Sequence, residues 1–240
     1  MQSAINPLII EAQIESLSSR DTFVVCCFYT ASYHEHAMRL KASLDEFGLN
    51  YYLAQVADAG FWEANTRIKP YFIAKCLEKF ADYGVLYLDA DAVVKKPLDY
   101  FNHVREDVAL YDTRGLANMS HDYLASTMFF NNTPASHKLV AQWIAEQHDG
   151  KRTQVDQDSL DAAMHKMADH ISVAPLSAGY IKIFDRDTRQ DGYDGEIYIE
   201  QYQASRSQTK LRRTLIRRRN RIIGLGAVLS AAVGLIWLMR

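Results

Sequence analysis

Apolar residues along the chain fall into two kinds of segment, short dense runs and longer spaced stripes. Thr22–Tyr29, reading TFVVCCFY, is rich in β-branched and aromatic residues and too short for a buried helix, so it predicts a buried strand. Ala37, Leu40, Leu44 and Phe47 then recur at helical spacing, and Gly48 supplies a stop. Leu49–Val56 predicts a second strand. Phe72, Ile73, Cys76, Leu77 and Phe80 mark a second helix, with Pro70 in its first turn, and Val85–Leu88 a third strand. This alternation implies an α/β domain with a mainly parallel sheet. Val108–Tyr111 and Tyr123–Phe130 follow as strands with no helix between them, so part of the sheet is expected to be antiparallel. Thr133-Pro134 opens a helix carrying Leu139, Val140, Trp143 and Ile144, and another starts near Asp156 with Leu160, Ala163, Met164 and Met167 as its core stripe. Asp185–Glu196 predicts an exposed loop.

Charge divides the chain unevenly. The net value of −2 combines residues 1–205, where 18 cations face 29 acids for a balance of −11, with residues 206–240, which carry nine cations and no acid. A basic tail of this kind points to an anionic surface. Ile222–Met239 is an uncharged run of 18 residues. As a helix it spans roughly 27 Å, close to a hydrocarbon core. With the arginine-rich stretch before it, the run predicts a single-pass C-terminal tail anchor, the globular part lying on the cytoplasmic face. The expected organisation is a catalytic domain over 1–205, a basic juxtamembrane segment over 206–221 and a transmembrane helix over 222–239. Gly226, Ser230 and Gly234 share one stripe of that helix, a face suited to a homodimer. The N-terminus has no basic region before its apolar residues, so no export signal is expected. Cys26, Cys27 and Cys76 have no metal spacing and read as core residues of a reducing compartment.

The chemistry concentrates at Val85-Leu86-Tyr87-Leu88-Asp89-Ala90-Asp91, where a buried strand runs into two carboxylates. Ligands of open α/β sheets bind beyond the carboxyl ends of strands. On an extended backbone the i, i+2 spacing directs both acids the same way, and two close carboxylates call for a hard divalent cation. An EF-hand loop is excluded, since Val93 stands at a ligand position and no glycine occupies the sixth. A haloacid-dehalogenase-type phosphatase shares the local pattern of apolar strand and Asp-x-Asp-x-Val-Val. In that family the motif opens the domain, whereas here two βα units precede it. A nucleotide-sugar site, with metal bridging the acids and a diphosphate, is the third reading.

Over roughly residues 22–206 the sequence resembles GT-A glycosyltransferases, with Asp89-Ala90-Asp91 as the DxD motif. Phe28-Tyr29-Thr30 ends the first strand, where such enzymes hold base and ribose. Trp62, Asn65, Arg67 and Lys69-Pro70 resemble the segment that approaches the nucleotide. Asp156-Gln157-Asp158-Ser159-Leu160-Asp161 is similar to the DQDxLN segment of retaining galactosyl- and glucosyltransferases, with Asp161 replacing Asn. Ile199–Arg206 resembles a terminal segment in which many relatives carry a metal-binding His; Gln201 stands at that place here.

The resemblance implies a GT-A, Rossmann-like mixed sheet and transfer of a hexose from a nucleoside-diphosphate sugar, above all a UDP-sugar. The expected acceptor is a glycan or lipid-linked sugar near the membrane, with no role for nucleic acid. It implies that Asp89, Asp91 and Gln201 hold Mn²⁺ or Mg²⁺, that Tyr29, Thr30, Arg67, Lys69 and Asp89 contact the nucleotide, and that Asp156, Gln157 and Asp158 face the sugar or acceptor. The bound cation would stabilise the departing diphosphate. A phosphatase built on Asp89 and Asp91, and an inactive membrane-tethered scaffold, stand as the alternatives.

Overall fold

The computed structural model describes residues 8–117, 119–148, 153–185 and 193–207. Its frame is a seven-stranded mixed sheet in the order β1-β3-β2-β4-β7-β6-β8. The strands are β1 (Ile10–Ser16), β2 (Phe23–Tyr29), β3 (Tyr51–Val56), β4 (Gly84–Leu88), β6 (Val108–Asp112), β7 (Tyr123–Phe130) and β8 (Val173–Pro175). β2, β3 and β4 run parallel, while β7 lies antiparallel to β4 and β6. A small second sheet sets β10 (Ile199–Gln201) between β5 (Ala92–Val94) and β9 (Lys182–Ile183).

Side-chain alternation along β2 explains the layers. Val24, Cys26 and Phe28 enter one core with Phe72, Trp143 and Leu160, under α3 (Lys69–Lys79), α4 (Pro134–His148) and α5 (Asp156–Met167). Phe23, Val25, Cys27 and Tyr29 enter the other, with Leu40, Leu44 and Phe101 beneath α1 (His34–Glu46). A strand buried on both faces has to be apolar at every position, and β2 and β4 are buried throughout. Gly48 closes α1 at φ +63°, a left-handed conformation that lets its N–H reach the Asp45 carbonyl at 3.1 Å. All three cysteines are buried and free.

The predicted strands and helices appear within a few residues of their expected bounds. Several features were not expected, among them the three-residue strand β8, which runs parallel to β6. β1 is an edge strand antiparallel to β3; its sequence, IEAQIES, alternates too weakly to declare it. A short helix, α2 (Trp62–Thr66), precedes α3. The small sheet has strands of two or three residues, too short to leave a period.

The expected architecture is corrected at its C-terminal end. No helix among the described residues is long and apolar enough to cross a membrane. The longest, α4 with 15 residues, spans only about 22 Å against a hydrocarbon core of about 30 Å. Among the described residues the fold is therefore a mixed α/β sheet flanked by helices, with no membrane-spanning helix. The stretch 222–239, most of the basic segment before it, and the Gly226, Ser230 and Gly234 stripe lie outside the described residues, as do 186–192 of the predicted loop.

Candidate active site

A cleft of about 360 Å³ opens at the carboxyl ends of β2 and β4. One wall is aromatic, from Phe28, Tyr29, Tyr33 and Trp62. The floor holds Lys69, Tyr87, Asp89 and Asp91, the opposite wall Leu124, Ser126, Asp156 and Gln157, and the rim Ile181, Ile183, Gln201, Gln203 and Ser205. The place follows from topology, since parallel strands stop here while the loops that follow them rise on either side.

Asp89 directly follows β4, its N–H bonded to the Ser126 carbonyl at 3.0 Å. The chain then turns rather than staying extended. The Ala92 N–H reaches back to the Asp89 carbonyl at 3.0 Å, so a tight turn, not strand alternation, brings Asp89 and Asp91 into one cleft. This corrects the expected extended geometry while keeping its consequence.

Lys69 is the central strut. Its Nζ lies 2.5 Å from Asp156 Oδ2 and 3.0 Å from Asp89 Oδ1, and it donates to the Ala125 carbonyl at 2.8 Å. Three donors meet three acceptors, and the ammonium also sits 4.9 Å from the Tyr87 ring centroid. Burial works against this cation, but the Asp156 and Asp89 carboxylates outweigh it and raise its pKa above the usual lysine value. Tyr87 donates its hydroxyl to Asp89 Oδ1 at 3.0 Å, and burial pushes that phenol well up. Burial likewise lifts the Asp89 carboxyl to about 6; Lys69 opposes the shift, and repulsion from Asp91 and Asp156 adds to it.

Asp156 owes its place to α4. The buried Trp143 indole donates to the Asp156 carbonyl and to Ser159 Oγ, both at 3.0 Å, and so fixes the first turn of α5 against the core. Asp158 caps the same helix, accepting the Val155 N–H at 2.8 Å. Gln157 lines the cleft and donates Nε2 to the Tyr123 carbonyl at 3.3 Å.

Gln201 arrives from β10, opposite Ala92 in register. It is 2% exposed. Its Nε2 donates to Thr127 Oγ1 at 3.2 Å, and the Thr127 hydroxyl donates in turn to the Tyr180 carbonyl at 2.8 Å. With its proton committed there, Thr127 can only accept from the amide. That relay fixes the amide's orientation and leaves Gln201 Oε1 buried with no hydrogen-bond partner among the described residues. A buried carbonyl oxygen left bare costs about 1–3 kcal/mol, so its presence on the rim of an acidic cleft points to a ligand that supplies the missing contact. Next to it, the Ala204 N–H bonds to Asp91 Oδ2 at 2.7 Å and the Tyr202 N–H to the Asp91 carbonyl at 3.0 Å. The turn between them puts Gln203 at φ +56°.

Of the sequence-predicted residues, Tyr29, Thr30, Lys69, Asp89, Asp91, Asp156, Gln157 and Gln201 all line this cleft. Arg67 does not. Its guanidinium grips Gln147 at the end of α4, with Nε 3.0 Å from Oε1 and Nη2 bonded to the Gln147 carbonyl. Lys69, expected to meet a diphosphate, has its three protons committed to protein acceptors. Asp158 is likewise engaged as a helix cap and is not among the described lining residues. Tyr33, Tyr87 and Ser126 line the cleft without having been expected there. Tyr87 was legible as the i−2 neighbour of Asp89 on one strand face; the others carry no local signal.

An open mixed sheet with an acid-lined cleft beyond its parallel strands is the arrangement of a GT-A glycosyltransferase. The chain belongs to the nucleotide-diphospho-sugar transferase family, whose model matches residues 62–211. Among solved structures, it is similar to a glycosyltransferase involved in glycosylation of the major capsid of PBCV-1 (12% identity, TM-score 0.58, covering 76% of this chain and 93% of that one). It is also similar to the glycosyltransferase GlyE of Streptococcus pneumoniae TIGR4 (13% identity, TM-score 0.51, 76% and 55%). An active-site mutant of LgtC aligns with 13% identity and a TM-score of 0.50, over 76% and 88% of the two chains. At these identities the likeness concerns the fold. No curated protein matches the chain in sequence.

Proposed function

We propose that this glycosyltransferase works with a divalent cation, Mn²⁺ or Mg²⁺, held by Asp89, Asp91 and Gln201, and takes a nucleoside-diphosphate sugar, a UDP-sugar above all. The observation that carries the reading is the bare, buried Oε1 of Gln201 beside the acid turn. An amide oxygen and two carboxylates form a hard, all-oxygen donor set suited to these ions. Charge supports the same reading, since three carboxylates (Asp89, Asp91 and Asp156) share the cleft with the single ammonium of Lys69. When bound, the cation would offset negative charge growing on the departing diphosphate.

The chain's own residues supply the rest. The aromatic wall of Phe28, Tyr29, Tyr33 and Trp62 offers stacking surface to a nucleobase. Lys69 holds Asp89 and Asp156 at fixed positions, so the carboxylates need not reorganise when substrate enters. Asp156 and Gln157 face the remaining volume, where the sugar and the acceptor hydroxyl meet. A glycan or lipid-linked sugar is the proposed acceptor class. Asp89 is a poor free nucleophile, because its Oδ1 receives both Tyr87 and Lys69; that argues against the phosphatase alternative.

A thermal-shift panel of UDP- and GDP-sugars, with and without Mn²⁺, tests the reading. Stabilisation by one donor that depends on Mn²⁺ and disappears in Asp91→Ala, with the melting of the free protein little changed, is the expected result. Activity that survives EDTA would sink the metal-assisted mechanism. The absence of any shift across the panel would favour the scaffold alternative.

A further inference from the structure

Beside the cleft, side chains of α5 clamp the β6–β7 hairpin at several points. Asp161 accepts the Tyr123 N–H on Oδ1 at 3.2 Å and faces His121 Nδ1 from Oδ2 at 3.1 Å. On the other side of the same residue, the Tyr123 carbonyl receives Gln157 Nε2 at 3.3 Å. The Thr113 hydroxyl bonds to the His121 carbonyl and holds the hairpin's own ends together. Asp161 therefore fixes the residue whose carbonyl in turn orients the amide of Gln157, a residue that lines the cleft.

We propose that His121 is a positioning residue for Gln157, acting through Asp161, and that this coupling makes the sugar-facing end of the cleft sensitive to the proton on His121. The proposal rests on the reading of Gln157 as sugar-facing. It depends on Asp161 being a carboxylate. An asparagine there could accept the Tyr123 N–H and turn its amide toward a neutral imidazole, giving a clamp indifferent to charge. A carboxylate accepts from both, so it requires a proton on Nδ1 and binds the imidazolium more strongly than the neutral ring.

Among the described residues, the charged groups facing the ring come from α5. Asp161 is nearest, Asp158 Oδ1 stands 3.9 Å away, and Asp156 acts from further off, itself paired with Lys69. Asp122, the next residue, is occupied by His165 at 2.7 Å, and Arg114 by Asp112. With a carboxylate bond leading and burial opposing, the His121 pKa is raised above its ordinary value. The sign follows: the clamp is at full strength at low pH and loosens as the pH climbs through the raised pKa. The neutral Nδ1–H tautomer keeps one hydrogen bond, so the hairpin stays docked and Gln157 gains freedom without the fold being lost.

The test uses NMR of the full chain without substrate, so it does not depend on the donor's identity. His121 is followed through its ring Hε1 and Gln157 through its side-chain amide, assigned by its disappearance in Gln157→Leu. In the wild type, the Gln157 amide resonances are expected to shift with the midpoint of the His121 ring. In Asp161→Asn the His121 midpoint falls, and the Gln157 shift at that midpoint disappears; His121→Gln also abolishes it and serves if Asp161→Asn folds poorly. A Gln157 amide that shows no inflection at the wild-type His121 midpoint, or one that keeps it in both variants, overturns the proposal. Failure of the Mn²⁺ thermal-shift panel alongside a positive NMR result would remove the sugar-facing role of Gln157 and leave the coupling in place.

Discussion

The cleft is built by two regions that differ in kind. Its floor comes from β2, β4 and α3, where every strand residue is buried and the polar groups are locked by the Lys69 strut. Its rim comes from β5, β9 and β10, three strands of two or three residues, and from a turn hung on Asp91 by two backbone N–H groups. The floor is held by packing that exists whether or not a ligand is present. The rim is held by hydrogen bonds to the site residues themselves, so its order is linked to whatever occupies the site. Asp89 belongs to the first region, Gln201 to the second, and Asp91 joins them.

That contrast can be broken from either side. The largest effect is expected for Lys69→Met. It leaves Asp89 and Asp156 facing each other in the cleft without a cation and should cost about 3–5 kcal/mol in urea denaturation. A loss below about 1 kcal/mol would mean that the strut is not what holds the floor. Gly84→Ala comes next. A Cβ at Gly84 would lie 2.5 Å from Phe129 Cζ inside the sheet, and overpacking of a rigid ring is expected to cost about 1–3 kcal/mol while leaving cation affinity unchanged.

Thr127→Val probes the rim. It removes the acceptor of Gln201 Nε2 and the donor to the Tyr180 carbonyl, with an expected loss of about 1–3 kcal/mol. Unlike Gly84→Ala, it should also weaken Mn²⁺ binding measured by calorimetry, because the Gln201 amide is then free to turn. Equal Mn²⁺ affinity in the two variants would erase the distinction between floor and rim. The smallest effect is expected for Gln203→Gly. Relief of the left-handed φ and the greater chain entropy of glycine oppose each other, leaving a change within about 1 kcal/mol.

The floor was also the legible region. Dense runs such as TFVVCCFY announce strands buried on two faces, Pro70 and Gly48 mark helix ends, and Asp89 follows an apolar strand too directly to be an ordinary turn. β1 was missed because an edge strand needs only one moderately apolar face; Ile10 and Ile14 are half-buried and its other positions are mostly exposed. The small sheet was missed because strands so short show no period. Arg67 and Lys69 were both expected at the diphosphate from their charge and position in one segment. The fold turns the first toward Gln147 and commits the second to Asp89 and Asp156.

By itself, the sequence determined the α/β alternation and the switch-point acids, because burial on two faces and a strand-end position leave a local mark; Gln201 joined the candidates only through the resemblance of its segment to GT-A enzymes. Only the tertiary structure decided how those groups are used. It is the contact of residues far apart in the chain that pairs Lys69 with Asp156, fixes the Gln201 amide at the cleft through Thr127, and clamps His121 to Asp161. A hydrogen bond depends on where two atoms lie in space, and no local pattern records that.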